Sequence, residues 1–177
     1  MPVPQQILRK SARVLLVDDR DRILLYRALR SIKDPHYAWY TPGGGIQPGE
    51  TPCVAAAREL REEIGHEVAP DALGQIVATS AGDWIRNDGT PMRSEHVFFF
   101  LRVPAVHVDV SGMEKHERSL LDVFRWWTSA ELRATGDCVL PTDLADLLEF
   151  LLSGEVSPEP VVMSWDRQVV RPRTSLL

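Results

Sequence analysis

Two cysteines in 177 residues, Cys53 and Cys138, lie far apart and belong to no Cys-x-x-Cys or Cys/His pattern. Neither a disulfide scaffold nor a structural zinc site is indicated. Long apolar runs are also missing: the longest, such as residues 97–101, are a few residues long, where about 20 are needed to cross a bilayer. Residues 1–10 hold no apolar stretch of signal-peptide length, so a cytoplasmic protein with no membrane partner is expected. Lysine is scarce, supplying three of 20 basic residues, and 25 acidic residues leave a net charge of −5. That balance opposes binding a phosphate backbone by counterion release, so polymeric nucleic acid is not an expected partner. The glycines never lead into the Gly-Lys-Ser/Thr of a P-loop or complete a dinucleotide fingerprint, and no Gly-x-Ser-x-Gly or His-Glu-x-x-His occurs.

What is present suits a packed core. At 44% hydrophobic and 25% charged, residues 1–177 read as one domain, with no internal repeat or interdomain linker. Residues 13–17 and 23–26 are β-prone runs joined by Asp18-Asp19-Arg20-Asp21-Arg22, the pattern of a hairpin. Pro42 and Gly43-Gly44-Gly45 should end any regular element, leaving residues 39–45 as a loop. Thr51 as N-cap, Pro52 at the first helical position and Gly65 past the end delimit a helix of about three to four turns. Its Val54, Ala57, Leu60 and Ile64 should face the core. Strands are expected at 73–79, 96–103, 106–110 and 123–127, a short helix at 129–134, and a helix opening near Pro141 with Leu144, Leu147, Leu148 and Leu151 as its apolar stripe. Such a mixture makes an α/β or α+β sandwich of sheet and helices. Trp39, Trp84, Phe98 and Phe100 read as core, and His96, His107 and His116 as surface or core-edge residues.

The chemistry concentrates in residues 43–66. At 100° per residue, Glu62 and Glu63 lie about 60° and about 40° to either side of Glu59, so three carboxylates share one sector of the helix. Like charges at these spacings cost about 0.2–0.5 kcal/mol per pair, and anions in the last turns oppose the helix dipole. A helix that breaks a local rule this often is waiting for a cation. Arg58 and Arg61 offset part of the charge, and an ordinary solvated Glu/Arg face is the alternative. Oxygen-only donors favour Mg²⁺, Mn²⁺ or Ca²⁺ over zinc or copper, and Mg²⁺ keeps waters and accepts phosphate oxygens.

Gly44-x5-Glu50-x7-Arg58-Glu59-Leu60-Arg61-Glu62-Glu63-Ile64-Gly65 resembles the box of the Nudix hydrolase (MutT-like) superfamily, G-x5-E-x7-R-E-U-x-E-E-x-G-U with U a bulky aliphatic residue. The final U is His66 here, which bears on packing of the next segment rather than on the carboxylates. Strands before the box and Arg125-Trp126-Trp127-Thr128-Ser129-Ala130-Glu131-Leu132 also look like the family's flanks, so the resemblance runs from about residue 14 to 152 and leaves 155–177 as a tail without an assigned role. The resemblance implies an α/β/α sandwich of mixed sheet with flanking helices. It implies divalent-metal ligands at Glu59, Glu62 and Glu63, with the Gly43 carbonyl a further donor, and Mg²⁺, or Mn²⁺, as cofactor. Arg58 and Glu50 would hold the loop over the helix, and Gly44, Gly45 and Gly49 would serve its conformation. The implied reaction is attack of a metal-activated water on a phosphoanhydride in a nucleoside diphosphate linked to another group. The general base is expected at Glu117, then Glu95 or Glu114, or within the box. A nucleotide-binding or regulatory domain that does not hydrolyse is the alternative, and self-association as a homodimer is left open. Substrate markers are lacking: no tyrosine follows Tyr40, Ser80-Ala81 stands where one ADP-ribose group has proline, and the coenzyme A and NADH-type signatures are absent.

Overall fold

In the computed structural model, which describes residues 6–29, 36–86, 88–104, 106–113, 121–155 and 157–164, the long strand β1 (Ile7–Val17) is the organising element. It pairs in parallel with β6 (Pro91–Arg102) along its whole length, from Ile7 opposite Met92 to Val17 opposite Arg102. Antiparallel partners flank this central pair. β2 (Ile23–Leu29) and β3 (Tyr37–Tyr40) continue the sheet on one side, and β5 (Ile76–Ile85) on the other. β4 (Gly43–Gly45) pairs with β1, β7 (Leu121–Trp127) with β2, β8 (Val139–Leu140) with β3, and β9 (Val161–Met163) with β5. The result is one mixed sheet.

The β1–β2 turn shows how a run of charges becomes local structure. Asp18, buried at the end of β1, accepts the backbone N–H groups of Arg20 and Arg22 on one carboxylate oxygen at 3.0 and 2.9 Å and the Arg22 guanidinium on the other. Burial alone would raise its pKa, but these donors outweigh it and hold the carboxyl below its ordinary value.

Helices cover both faces of the sheet. α1 (Pro52–Ile64) packs Ala55, Ala56, Leu60 and Ile64 against Ala12, Val14, Leu16, Leu24 and Phe99. On the other face, α2 (Ser129–Ala134) and α3 (Leu144–Leu152) close a core of Leu15, Val17, Leu25, Trp39, Phe98, Trp127, Leu144, Leu147 and Leu148. This is the expected sandwich. Trp39 and Phe98 are buried, Trp84 and Phe100 half-buried. Among the described residues no helix is long and apolar enough to cross a membrane.

Several local expectations are corrected. The glycine segment 43–45 is a strand, because β1 offers it a ladder: Ser11, Ala12 and Arg13 pair with Gly45, Gly44 and Gly43. Residues 106–110 form no strand despite their alternation; Val106 and Val108 fill the edge of the α1 core while Asp109 N–H bonds the Ile64 carbonyl at 2.9 Å. Leu73 ends a 3-10 turn (Pro70–Leu73) before β5 begins. Val54 is 40% exposed, because Ala56, Leu60 and Glu63 occupy the inward side and Val54 lies opposite Ala56 around the helix. The segment beyond α3 partly packs back, as β9 on the edge of the sheet, while Trp165 lies outside the described residues.

Candidate active site

The site begins with the ends of α1. Thr51 Oγ1 accepts the Val54 N–H at 3.4 Å, with Pro52 following. At the other end Gly65 turns left-handed (φ 71°), so that its N–H reaches the Arg61 carbonyl and the His66 N–H that of Leu60, at 3.1 and 3.2 Å. His66 in the final box position leaves this cap intact.

Within the helix the three glutamates differ. Glu59 and Glu63 are buried, at 6% and 5% exposure, whereas the Glu62 side chain is 36% exposed. Arg58 ties the cluster together with all five of its N–H donors. Nη1 donates to Glu59 and to Glu62, each at 2.9 Å; Nε and Nη2 donate to Glu50 at 2.8 and 3.1 Å; Nη2 also donates to the Gly45 carbonyl at 2.9 Å. What this site takes from Gly45 is its carbonyl. Glu50 in turn accepts the Gln47 N–H at 2.8 Å, closing a turn in which Gly49 has φ 84°. Arg58, and to a lesser degree the Gln47 N–H, pulls the Glu50 carboxyl below its ordinary value, and the Arg58 guanidinium is raised by Glu50 first.

That shift carries a sign. A carboxyl with a depressed folded-state pKa contributes stability above its unfolded value, about 4.3, that disappears as pH falls through the folded one. We expect R58M to flatten the acid limb below about pH 4.5 in the plot of thermal midpoint against pH. Parallel acid limbs in the two proteins would contradict it.

The glycine strand meets the helix at two points. The Gly43 N–H donates to Glu63 Oε2 at 2.7 Å. A Cβ on Gly44 would stand 2.6 Å from Glu59 Oε1, so only glycine lets the strand lie over that carboxylate. Carboxylates with a carbonyl beside them are the donor set of a hard divalent ion, so the chemistry of the residues present fits one. Among the described residues no three acidic, histidine or cysteine side chains are already gathered as an ion cage; Arg58 neutralises Glu59 and Glu62 instead.

Of the candidates beyond the box, the structure describes Glu95 alone. Glu95, on β6, pairs with Arg93 at 3.4 Å. Glu114, Glu117 and His116 lie outside the described residues.

Sequence reasoning missed Arg13. It is buried on β1, and its Nη1 donates to the Thr41 carbonyl at 2.8 Å, with the guanidinium 6.0 Å from the Tyr40 ring centre. Tyr26 stacks on Tyr40 at 5.6 Å and hydrogen-bonds Arg13. Burial first, and then Glu63, push the Tyr26 phenol well above its ordinary value. Burial works against the Arg13 charge, but Tyr26 and Glu63 outweigh it and raise its pKa. The one signal in the sequence was a charged residue directly before the apolar run 14–17. A second missed feature is a buried polar row: Ser11 is the register partner of His96, and His96 of Ser80, on three adjacent strands.

Comparison with known proteins gives the frame. A family model described as NUDIX domain matches residues 7–144. An RNA pyrophosphohydrolase from Acinetobacter baylyi is 38% identical over 78 residues, 44% of this chain, and the match spans 42% of that relative's length. The MutT protein from Methanosarcina mazei Go1 superposes with a TM-score of 0.58 at 18% identity, over 86% of this chain and 98% of that one. A C. elegans Ap4A hydrolase gives 0.53 at 19% identity, over 83% and 99%. The two structures share the fold with this chain.

Proposed function

The chain belongs to the NUDIX domain family, and on that premise we propose that it is a divalent-cation-dependent hydrolase of phosphoanhydrides, with residues 1–177 forming one such domain. The observation that carries the reading is the acidic cluster, in which Arg58 binds Glu50, Glu59 and Glu62 while the glycine strand binds Glu63 through the Gly43 N–H.

In the reaction, water adds to one phosphorus, the bridging P–O bond breaks, the second phosphate leaves with the bonding pair, and the water proton passes to a carboxylate. A bound Mg²⁺ or Mn²⁺ supplies positive charge for the phosphates and lowers the pKa of a coordinated water. Glu59, Glu62 and Glu63, with the Gly43 carbonyl, are the residues that would hold it. Glu62 is the carboxylate open to solvent, and so the one that reaches an arriving substrate. Arg58 orients Glu59 and Glu62, and Glu63 pins the glycine strand. For the proton, Glu117 is the first candidate and a box glutamate the second; the Glu95 carboxylate pairs with Arg93.

The substrate is a nucleoside diphosphate joined to another group. The net charge of −5 favours a small nucleotide over a polymer, while the relative named RNA pyrophosphohydrolase argues for including an RNA end. A panel of dinucleoside polyphosphates, nucleotide sugars, ADP-ribose, (d)NTPs and a 5′-triphosphorylated RNA oligonucleotide, assayed with Mg²⁺ and Mn²⁺ and followed by product analysis, tests this. We expect metal-dependent release of two phosphorylated products from at least one class. Calorimetric binding of a nucleotide with no product from any of them would replace the hydrolase by a nucleotide-sensing domain.

A further inference from the structure

We propose that Arg13 is a positioning residue for Glu63: a buried guanidinium on β1 that fixes the strand carrying Gly43 and so keeps the Gly43 N–H directed at the Glu63 carboxylate.

The geometry forms a closed loop. Arg13 and Gly43 are register partners in the β1–β4 pair, and the approach is so close that a Cβ on Gly43 would stand 2.6 Å from the Arg13 Cα. The Gly43 N–H donates to Glu63 at 2.7 Å. Two residues earlier in the chain, the Thr41 carbonyl accepts from Arg13 Nη1 at 2.8 Å. Between them the Pro42 carbonyl accepts the Val14 N–H at 2.9 Å. The backbone entering the glycine strand is thus held to β1 by consecutive anchors, and the last N–H of the series is the donor to Glu63.

The charge argument runs the same way. A guanidinium and a carboxylate both removed from water carry a desolvation cost of several kcal/mol each, which only each other's field and good hydrogen bonds offset. Arg58 neutralises Glu59 and Glu62, and it makes no bond to Glu63. Arg13 is buried, as Glu63 is, and lies opposite the Gly43 whose N–H binds Glu63, so its field acts on that carboxylate. Arg58 on α1 and Arg13 on β1 thus have separate duties. A purely structural arginine would tie Thr41 and pack on Tyr40 whatever the charge at position 63.

The proposal rests on reading Glu63 as a working anion of the site, so its test must stand without turnover. The experiment is a double-mutant cycle on the full chain in EDTA: wild type, R13M, E63Q and the double variant, with R13K alone and with E63Q, followed by denaturant unfolding. Contacting residues show coupling of about 0.5–3 kcal/mol, which is roughly 2- to 150-fold in the unfolding constant. We expect R13M to raise the unfolding constant at least about tenfold more when Glu63 is present than when it is glutamine. R13K should recover stability relative to R13M only in the presence of Glu63. If R13M folds only in the E63Q background, the coupling is established at its extreme. Losses that add within about twofold, lysine rescue that ignores position 63, or R13M failing to fold in both backgrounds would each overturn the proposal. An inactive wild type that still shows the coupling would count against the hydrolase reading and leave this one standing.

Discussion

Replacing Glu62 by glutamine should lower kcat by at least about a thousandfold while shifting the thermal midpoint by no more than about 2 °C. Glutamine keeps the shape and loses the charge. Glu62 is the solvent-facing member of the cluster, and its ion pair with Arg58 is an i,i+4 contact on a partly exposed helix face. Pairs of that kind contribute about 0–1 kcal/mol to folding, and Arg58 keeps four other bonds when Glu62 is neutralised. Stability is therefore nearly indifferent to the change, and turnover is not, because a neutral amide neither neutralises a divalent ion nor takes up a proton. Steady-state kinetics beside a thermal melt checks both halves. A kcat within tenfold of wild type would remove Glu62 from the chemistry. E63Q behaves differently: Glu63 is buried against the Gly43 N–H and in the field of Arg13, so the same substitution should also destabilise the fold.

The largest loss of stability should come from Gly43→Ala. Gly43 has φ 127°, a region L side chains rarely adopt, and the added Cβ would meet the Ala12 carbonyl oxygen and the Arg13 Cα at 2.3 and 2.6 Å. Both are backbone atoms of the central strand and cannot move aside. Positive-φ strain and overpacking each cost about 1–3 kcal/mol, so a total of about 2–6 kcal/mol is expected. For a chain of this length that is roughly 4–24 °C in thermal midpoint. Gly44→Ala makes the contrast: the atoms nearest its Cβ would be those of the Glu59 carboxylate, the end of a side chain rather than backbone. It should cost less than half as much stability yet impair turnover more than tenfold, by displacing Glu59. Equal midpoints for wild type and Gly43→Ala would show that the strand is not held to β1 as described.

Much of this was open to reading in one dimension. The ends of α1 follow from Thr51, Pro52 and Gly65, because capping is a contest among neighbouring residues. The spacing of Glu59, Glu62 and Glu63 follows from helix periodicity, and the cation that answers it, Arg58, lies in the same turn. The hairpin at Asp18 is equally local.

What escaped was set by partners far along the chain. Gly43-Gly44-Gly45 reads as a breaker and becomes a strand because β1, thirty residues away, supplies its ladder. Residues 106–110 alternate like a strand yet find no edge to pair with and instead fill the flank of α1.

The sequence by itself determined the helix and its acidic sector, since these depend on caps and periodicity within some twenty residues, and the resemblance of that stretch to the Nudix box pointed to the chemistry. Only the tertiary structure decided that Glu59 and Glu63 are buried while Glu62 is open, and that Arg13 lies opposite Gly43, whose N–H binds Glu63. Burial and charge pairing are set by whichever distant strand happens to lie alongside, and no local pattern carries that information.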